Sequence, residues 1–148
     1  DKGQYDLPHA LPYMHGAAMM VRREALDKVG LMPELYFLYY EEYDWAERFK
    51  EQGYQLWYEP RCVVLHKESR STGIDSPLKT YYLTRNRLIF ARRNLSPCAR
   101  WFSYAYQLLL AAPLHLLQML MKGQRQQAKA LLSAVGHFVL RQDTSSIY

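Results

Sequence analysis

The spacing of apolar and polar residues in the first third of the chain predicts short elements separated by turns. Residues 1–15 are predicted to be a loop, residues 15–21 a buried strand and residues 22–29 a helix. Pro8 and Pro12 interrupt regular structure in the first segment, and the mostly apolar second segment is typical of a buried strand. Apolar residues recur at helical spacing in the third segment, and Gly30 is positioned to end that helix.

The middle of the chain alternates again between predicted helices and strands. An aromatic loop over 31–40 leads into a helix over 41–52, whose acidic residues come first and whose basic residues come last, as the helix dipole favours. Two strands are then predicted, over 54–58 and 61–66. A polar loop over 67–77 and a further helix over 78–93 follow them.

The last third contains an apolar run over 101–121 that has no Asp, Glu, Lys or Arg. Its length could cross a bilayer, but Pro113 interrupts it and four polar residues share one stripe at helical spacing, namely Ser103, Gln107, His115 and Gln118. The pattern favours an interfacial helix, and a transmembrane helix or an ordinary core helix remains open. A second amphipathic helix over 124–141 presents basic residues either to anionic headgroups or to solvent.

Composition excludes several classes of protein. The chain has 148 residues, is 49% hydrophobic and carries a net charge of +5, which is the composition of a globular domain rather than of a disordered segment. Two cysteines are too few for a disulfide scaffold or a zinc ribbon. Basic charge with 13 tyrosines suits nucleic acid, a membrane surface or phosphorylated substrates. Nucleic acid ranks last, because the charges are spread out and no RNA-binding signature occurs.

The first residues are polar and contain neither an initiator Met nor the apolar stretch of a signal peptide. We therefore expect the chain to be a fragment of a longer protein. The alternative interpretation is a complete domain that has been processed or trimmed.

Three carboxylates lie at the start of the predicted helix over 41–52, among many aromatic residues. They are Glu41, Glu42 and Asp44. Apolar surroundings raise the pKa of a carboxyl group, whereas a helix N-terminus or a nearby arginine lowers it, and these opposing effects can poise a general base. Asp44 and Arg48 are four residues apart, which allows them to pair along the helix. The alternative is that the acidic residues only compensate the helix dipole.

An ordered series of motifs resembles the C-terminal half of a family 2 glycosyltransferase. The series comprises Gly16-Ala17, Val29-Gly30-Leu31, Glu41-Glu42-Tyr43-Asp44-Trp45 with Arg48, Gly53-Tyr54, a strand ending at His66, Ser71-Thr72-Gly73 and Arg85-Asn86. The resemblance covers roughly residues 14–93, and the subgroup it is most similar to is the rhamnosyltransferase-like enzymes of bacterial polysaccharide assembly.

This resemblance implies an α/β protein, a partial GT-A fold without its N-terminal nucleotide-binding half, that uses a nucleotide-sugar donor and inverts the anomeric carbon. It assigns the general base to Glu42, where the family commonly has Asp, and makes Glu41 the neighbour that orients or tunes it. Asp44 and Arg48 match supporting positions. Arg85 and Asn86 also match supporting positions, and they either brace the basic loop that follows His66 or reach the donor.

The resemblance also implies a divalent metal, Mn²⁺ or Mg²⁺, with His66 as the one ligand in this chain. The loop that follows would close on the donor diphosphate through Arg70, Ser71, Thr72 and Gly73, or it is an ordinary surface turn. Basic residues beside the apolar helices suit a lipid-linked acceptor at a membrane surface, and these are Arg87, Arg92, Arg93 and Arg100.

We therefore interpret residues 1–93 as the acceptor side of a catalytic domain and residues 94–148 as a helical extension that associates with a membrane or packs internally. No Asp-any-Asp motif occurs in the chain, so we expect these residues alone not to transfer sugar. The expected function is part of an inverting glycosyltransferase that acts on a lipid-linked saccharide at the inner face of the bacterial cytoplasmic membrane. The alternative function is a non-enzymatic membrane-surface adaptor built on residues 101–141.

Overall fold

A computed structural model describes residue 3 and residues 5–65 and 76–140, and these are mostly helical with one small sheet. The strands are β1 (His9–Leu11) and β2 (Leu56–Tyr58). The helices are α1 (Arg23–Val29), α2 (Glu41–Glu51), α3 (Pro77–Asn94), α4 (Pro97–Ala105), α5 (Ala112–Met121) and α6 (Arg125–Val139). A 3₁₀ turn covers Glu34–Tyr36, and a π-helix over Tyr106–Ala111 joins α4 to α5.

The chain divides into two compact units. Unit 1 takes in the described residues of Asp1–Glu34 and Glu41–Glu68, and unit 2 takes in those of Leu35–Tyr40 and Ser69–Tyr148. Unit 1 therefore holds the sheet with α1 and α2. Unit 2 holds the aromatic loop 35–40 together with α3 and the C-terminal helices, so that α3 groups with the helices that follow it.

The sheet of unit 1 is antiparallel and pairs His9 with Tyr58 and Leu11 with Leu56. The prediction of a loop throughout residues 1–15 was therefore wrong at β1. Pro8 and Pro12 flank this strand without lying inside it, so no backbone N–H that the ladder needs is missing. The predicted strand over 54–58 is confirmed in its second half.

Two other predicted strands do not form in the described part of the chain. In the segment 15–21 the backbone turns instead. The Ala17 amide donates to the His15 ring at 3.2 Å, and the Ala18 amide donates to the His15 carbonyl at 3.4 Å. In the segment 61–66 the structure describes residues 61–65, which are not a strand and leave Val63 79% and Leu65 96% exposed. Apolar sequence alone does not make a strand, because each strand needs a neighbour for its backbone groups.

The core of unit 1 lies where α1 and α2 meet β2. Its buried members are Ala25, Val29, Trp45, Ala46, Phe49 and Leu56. The predicted helices over 22–29 and 41–52 are confirmed within one residue at each end. Gly30 ends α1 as predicted, since its φ of 83° lies in the left-handed region and its amide bonds to the Leu26 carbonyl at 2.8 Å.

In unit 2 the longest helix, α3, packs extensively against α6. The buried side chains are Leu88, Ile89 and Ala91 on α3 and Ala128, Leu131 and Ala134 on α6. The small residues on α6 allow the two helices to approach closely. Tyr81 on α3 also reaches across, with its hydroxyl 2.8 Å from Nδ1 of His137. The predicted helices over 78–93 and 124–141 are thereby confirmed over most of their lengths.

The apolar run over 101–121 forms one helical path through α4, the π-helix and α5. In the portion that the structure covers, no helix combines the length and the apolar character needed to cross a membrane. On one side of this path the large apolar side chains are about half exposed or more, so the run is not enclosed within this chain as an ordinary core helix would be.

Candidate functional site

The acidic cluster lies in the first turn of α2, where the sequence predicted it. Glu41 and Glu42 are half-buried, whereas Asp44 is only 1% exposed and faces the interior. Carboxylates at a helix N-terminus are stabilised by the free amides and the positive end of the dipole. The cluster thus separates into two carboxyl groups that solvent reaches and one that it does not.

The surroundings of Glu41 shift the pKa of its carboxyl group. Burial raises the pKa of its carboxyl above the ordinary value, a hydrogen bond from its own backbone amide opposes this shift, and the nearby charge of Glu42 adds to it. Its Oε2 atom is buried and has no hydrogen-bond partner in the described residues. A carboxyl group of raised pKa with a free oxygen holds its proton to higher pH than an ordinary glutamate and can accept a further hydrogen bond.

Glu42 lies against the backbone of Gly16. A Cβ atom placed on Gly16 would stand 3.8 Å from Oε1 of Glu42, in ordinary van der Waals contact. Gly16 therefore borders the carboxylate that the sequence selected as the general base.

Arg48 has a structural role inside unit 1. Its guanidinium donates to the carbonyls of Val29 and Leu31, just beyond the end of α1, the second of these at 3.1 Å. The indole of Trp45 donates to the Gly30 carbonyl at 3.0 Å. These bonds join the C-terminal end of α1 to α2 and hold the helix that carries the acidic cluster.

Arg85 and Asn86 lie on α3 in unit 2, whereas the acidic cluster lies in unit 1. The Asn86 side chain is fully buried and its amide nitrogen donates to the carbonyls of Tyr36, Leu38 and Tyr39 at 2.7–2.9 Å. Arg85 donates to the Asn86 side-chain oxygen at 2.8 Å and to the Leu35 carbonyl at 3.2 Å. Within their unit the pair therefore braces the aromatic loop 35–40.

The aromatic loop has an unusual backbone. Phe37, Tyr39 and Tyr40 have positive φ angles of 62°, 64° and 77°. Bulky side chains are rarely found there, because Cβ crowds the backbone, and such residues persist only where surrounding contacts impose the conformation. The Asn86 hydrogen bonds supply part of that constraint.

Further contacts from α3 fix the aromatic side chains of this loop. The Phe37 and Tyr82 rings lie 5.2 Å apart, and those of Tyr40 and Phe90 lie 5.6 Å apart. Arg87 donates from Nε to the Tyr40 hydroxyl at 3.0 Å. Tyr82, Asn86 and Phe90 recur every four residues, so one face of α3 holds the whole loop.

The metal and donor-loop predictions lie largely outside the described residues. This applies to His66 and to Arg70, Ser71, Thr72 and Gly73. Over residues 5–65 and 76–140 the structure groups no three His, Cys, Asp or Glu side chains that could hold a metal ion. The described residues therefore do not by themselves fit a metal site.

Sequence reasoning missed how the loop 35–40 is held. The usual signal for a left-handed backbone is Gly or Asn, and this loop contains neither. The sequence did single out Asn86, but it did not indicate that the loop before α2 would be its partner.

Comparison with known proteins finds partial similarity to one kind of enzyme. The chain is 38% identical over 63 residues to N-acetylglucosaminyl-diphospho-decaprenol L-rhamnosyltransferase from two strains of Mycobacterium tuberculosis, CDC 1551 and H37Rv. The match takes in 43% of this chain. It covers 20% of each of these curated relatives, so the chain spans about a fifth of their length. No family model matches the chain, and no solved structure matches it.

Proposed function

We propose that this chain forms the acceptor side of an inverting glycosyltransferase of the rhamnosyltransferase-like type, with the GT-A fold and a nucleotide-sugar donor. The observation that carries the proposal is the 38% identity over 63 residues to a rhamnosyltransferase. The cluster at the start of α2 supports it, since two half-buried carboxyl groups, one with a raised pKa, suit a reaction that removes a proton.

In the proposed reaction Glu42 is the general base. The acceptor hydroxyl oxygen attacks the anomeric carbon of the donor sugar and its proton passes to the Glu42 carboxylate. A new C–O bond forms on the face opposite the leaving group, the bond from the anomeric carbon to the diphosphate breaks, and the nucleoside diphosphate departs with the electron pair. The configuration at that carbon is therefore inverted.

Glu41 is proposed to tune this base rather than to replace it. The negative charge of Glu42 contributes to the raised pKa of Glu41, so the two carboxyl groups interact. Asp44 and Arg48 are proposed to support the site through the core side of α2. Arg85 and Asn86 are proposed as supporting residues on the resemblance alone.

The donor and metal parts of the proposal rest on the resemblance alone. Arg70, Ser71, Thr72 and Gly73 would contact the donor diphosphate, and His66 would be this chain's ligand to Mn²⁺ or Mg²⁺. A divalent cation would neutralise charge on the departing diphosphate. No step of the reaction is assigned to it here, because the described residues form no donor set for it.

The proposed acceptor is a saccharide linked to a lipid through a diphosphate, at the inner face of the bacterial cytoplasmic membrane. The similar rhamnosyltransferase is named for such a lipid, a diphospho-decaprenol. The basic residues of unit 2, among them Arg87 and Arg92, would suit the charge of a diphosphate.

The test is sugar transfer by the natural-length protein that contains these residues. Glu42→Gln should lower kcat by about a hundredfold or more and leave donor affinity nearly unchanged, because a general base contributes about 10²–10⁴ to the rate. Glu51→Gln, an exposed position on the same helix, is the matched control and should leave kcat within about twofold.

Turnover retained by Glu42→Gln would place the base elsewhere. Absence of sugar transfer by the unaltered protein with any nucleotide sugar would favour the alternative, a membrane-surface adaptor without catalytic activity.

A further inference from the structure

A continuous apolar stripe runs along the helical path of α4, the π-helix and α5. Its members recur every three or four residues and are 49–79% exposed, namely Trp101, Phe102, Tyr106, Leu109, Leu110, Leu114, Leu117, Leu120 and Met121. Isolated exposed apolar residues are common on proteins, but a contiguous stripe of this length marks an interaction surface. We call these nine residues the apolar stripe.

The opposite side of the same path faces the protein. Leu108, Ala111, Ala112 and Met119 line a cavity of about 190 Å³ together with residues of α3 and α6. Gln107, on this side, donates to the Ser103 hydroxyl at 2.7 Å. Of the polar stripe noted in the sequence, Ser103 and Gln107 are half-buried and His115 lines the cavity, whereas Gln118 is exposed. The outward side is mostly apolar.

All the charged side chains between residues 76 and 140 are basic. Between residues 76 and 140 the sequence has no Asp or Glu, and it has nine basic residues, which are Lys79, Arg85, Arg87, Arg92, Arg93, Arg100, Lys122, Arg125 and Lys129. Arg100 and Lys122 stand directly before and after the uncharged run over 101–121. Cations flanking an apolar helical face with Trp at one end are typical of helices that lie in a membrane interface.

We infer that the apolar stripe docks onto the surface of a bilayer that contains anionic phospholipids. The helical path lies in the plane of the membrane, with the stripe in contact with the acyl boundary and the flanking cations among the headgroups. Apolar burial and the attraction of the cations to negative headgroups both favour binding. Charge complementarity favours lipid over a second copy of the chain, because two such basic surfaces repel each other. This inference does not rest on the proposed sugar transfer.

The test is flotation of the whole chain with vesicles of phosphatidylcholine, with and without about 30% phosphatidylglycerol. We expect binding to the anionic vesicles and weaker binding to the neutral ones, with binding partly reduced at high salt. The double substitution Leu109→Gln with Leu117→Gln should weaken partitioning at least tenfold, because both side chains lie on the stripe and are 78% and 56% exposed.

A matched pair of substitutions controls for the general loss of apolar surface. Leu7→Gln with Leu31→Gln removes two leucines that are each 75% exposed and lie outside the stripe, and it should leave partitioning unchanged. A measurement that needs no altered leucine uses brominated lipid, which should quench Trp101 fluorescence. Trp101→Phe should abolish most of that quenching.

Three results would overturn the inference. One is absence of flotation with anionic vesicles, and another is equal loss of binding in both leucine pairs. The third is a concentration-dependent dimer in sedimentation that Leu109→Gln with Leu117→Gln dissociates, which would make the stripe an interface between copies. Because flotation is independent of sugar transfer, each of these results leaves the proposed enzymatic function unaffected.

Discussion

A single buried amide, that of Asn86, holds the backbone of the loop that leads into α2. Its three hydrogen bonds go to carbonyls in a segment where three aromatic residues adopt positive φ angles. Conformations of this kind cost about 1–3 kcal/mol each and are found most often at functional sites. The loop directly precedes Glu41 in the sequence.

Asn86→Ala should lower the free energy of unfolding by about 3 kcal/mol, because it removes three hydrogen bonds to carbonyls of the loop and the side-chain oxygen that accepts from Arg85. The measurement is urea unfolding of the chain. Asn94→Ala is the matched control on the same helix. Asn94 is half-buried and donates to the Phe90 carbonyl at 3.2 Å, so this change should cost about 1 kcal/mol or less. Equal losses at the two positions would contradict the role given to Asn86.

Glu41 makes stability depend on pH in a defined direction. Its pKa is raised in the folded protein, chiefly by burial, so between the ordinary value of 4.5 and the raised value the folded state binds more protons than the unfolded state. Stability therefore falls as the pH rises through this range. Glu41→Gln removes the buried charge, so the stability of this variant relative to the unaltered chain should be higher at pH 7 than at pH 4.

At pH 4 the side chain at position 41 is largely neutral in both proteins. The stability difference between Glu41→Gln and the unaltered chain at pH 4 therefore measures the effect of replacing a neutral carboxyl group by an amide. Unfolding by urea at the two pH values measures the change. If Glu41→Gln changes the free energy of unfolding by the same amount at pH 4 and at pH 7, burial does not raise the pKa of Glu41.

At the scale of elements, unit 1 depends on the junction between α1 and α2. Arg48 and Trp45 bond three consecutive carbonyls, those of Val29, Gly30 and Leu31, at the end of α1. A helix end has carbonyls without intrahelical partners, and here side chains of the next helix satisfy them. The position of the acidic cluster relative to Gly16 and the unit 1 core follows from this junction.

Arg48→Met should lower the free energy of unfolding by about 2 kcal/mol, because it keeps the apolar stem and removes two charge-assisted hydrogen bonds. Arg23→Met is the control, since Arg23 pairs with Asp27 at 2.8 Å but its side chain is 83% exposed. A pair of this kind contributes about 0–1 kcal/mol. Thermal unfolding of both variants checks the difference, and similar shifts in Tm would show that the junction is not stabilising.

Helices were easier to predict than strands for a physical reason. A helix satisfies its own backbone within the segment, so acidic and basic ends, apolar spacing and Gly30 were sufficient to place α1 and α2. A strand depends on a partner that local sequence does not reveal. The run over 15–21 is apolar and still forms a turn, while His9–Leu11 lies between two prolines and still pairs with β2.

At the scale of the whole molecule, the two signs of charge are distributed unevenly along the sequence. All 14 acidic residues lie outside residues 76–140, while nine of the 19 basic residues lie inside that range. The overall charge of +5 therefore understates how basic the α3–α6 region is. Because surface attraction is screened within about 10 Å at moderate salt, the proposed docking to anionic lipid should weaken as salt rises. Binding that remains at high salt would come from the apolar stripe.

The sequence by itself determined the helices, the acidic start of α2, the uncharged run over 101–121 and the partial similarity to a rhamnosyltransferase, because each depends on local spacing or on residue identity. Only the tertiary structure decided that Asn86 braces the aromatic loop, that Arg48 bonds the end of α1, and which side of the apolar run is exposed. These depend on partners distant in sequence. Their bonds satisfy backbone carbonyls, which every residue carries, so no residue type along the chain marks the partner in advance.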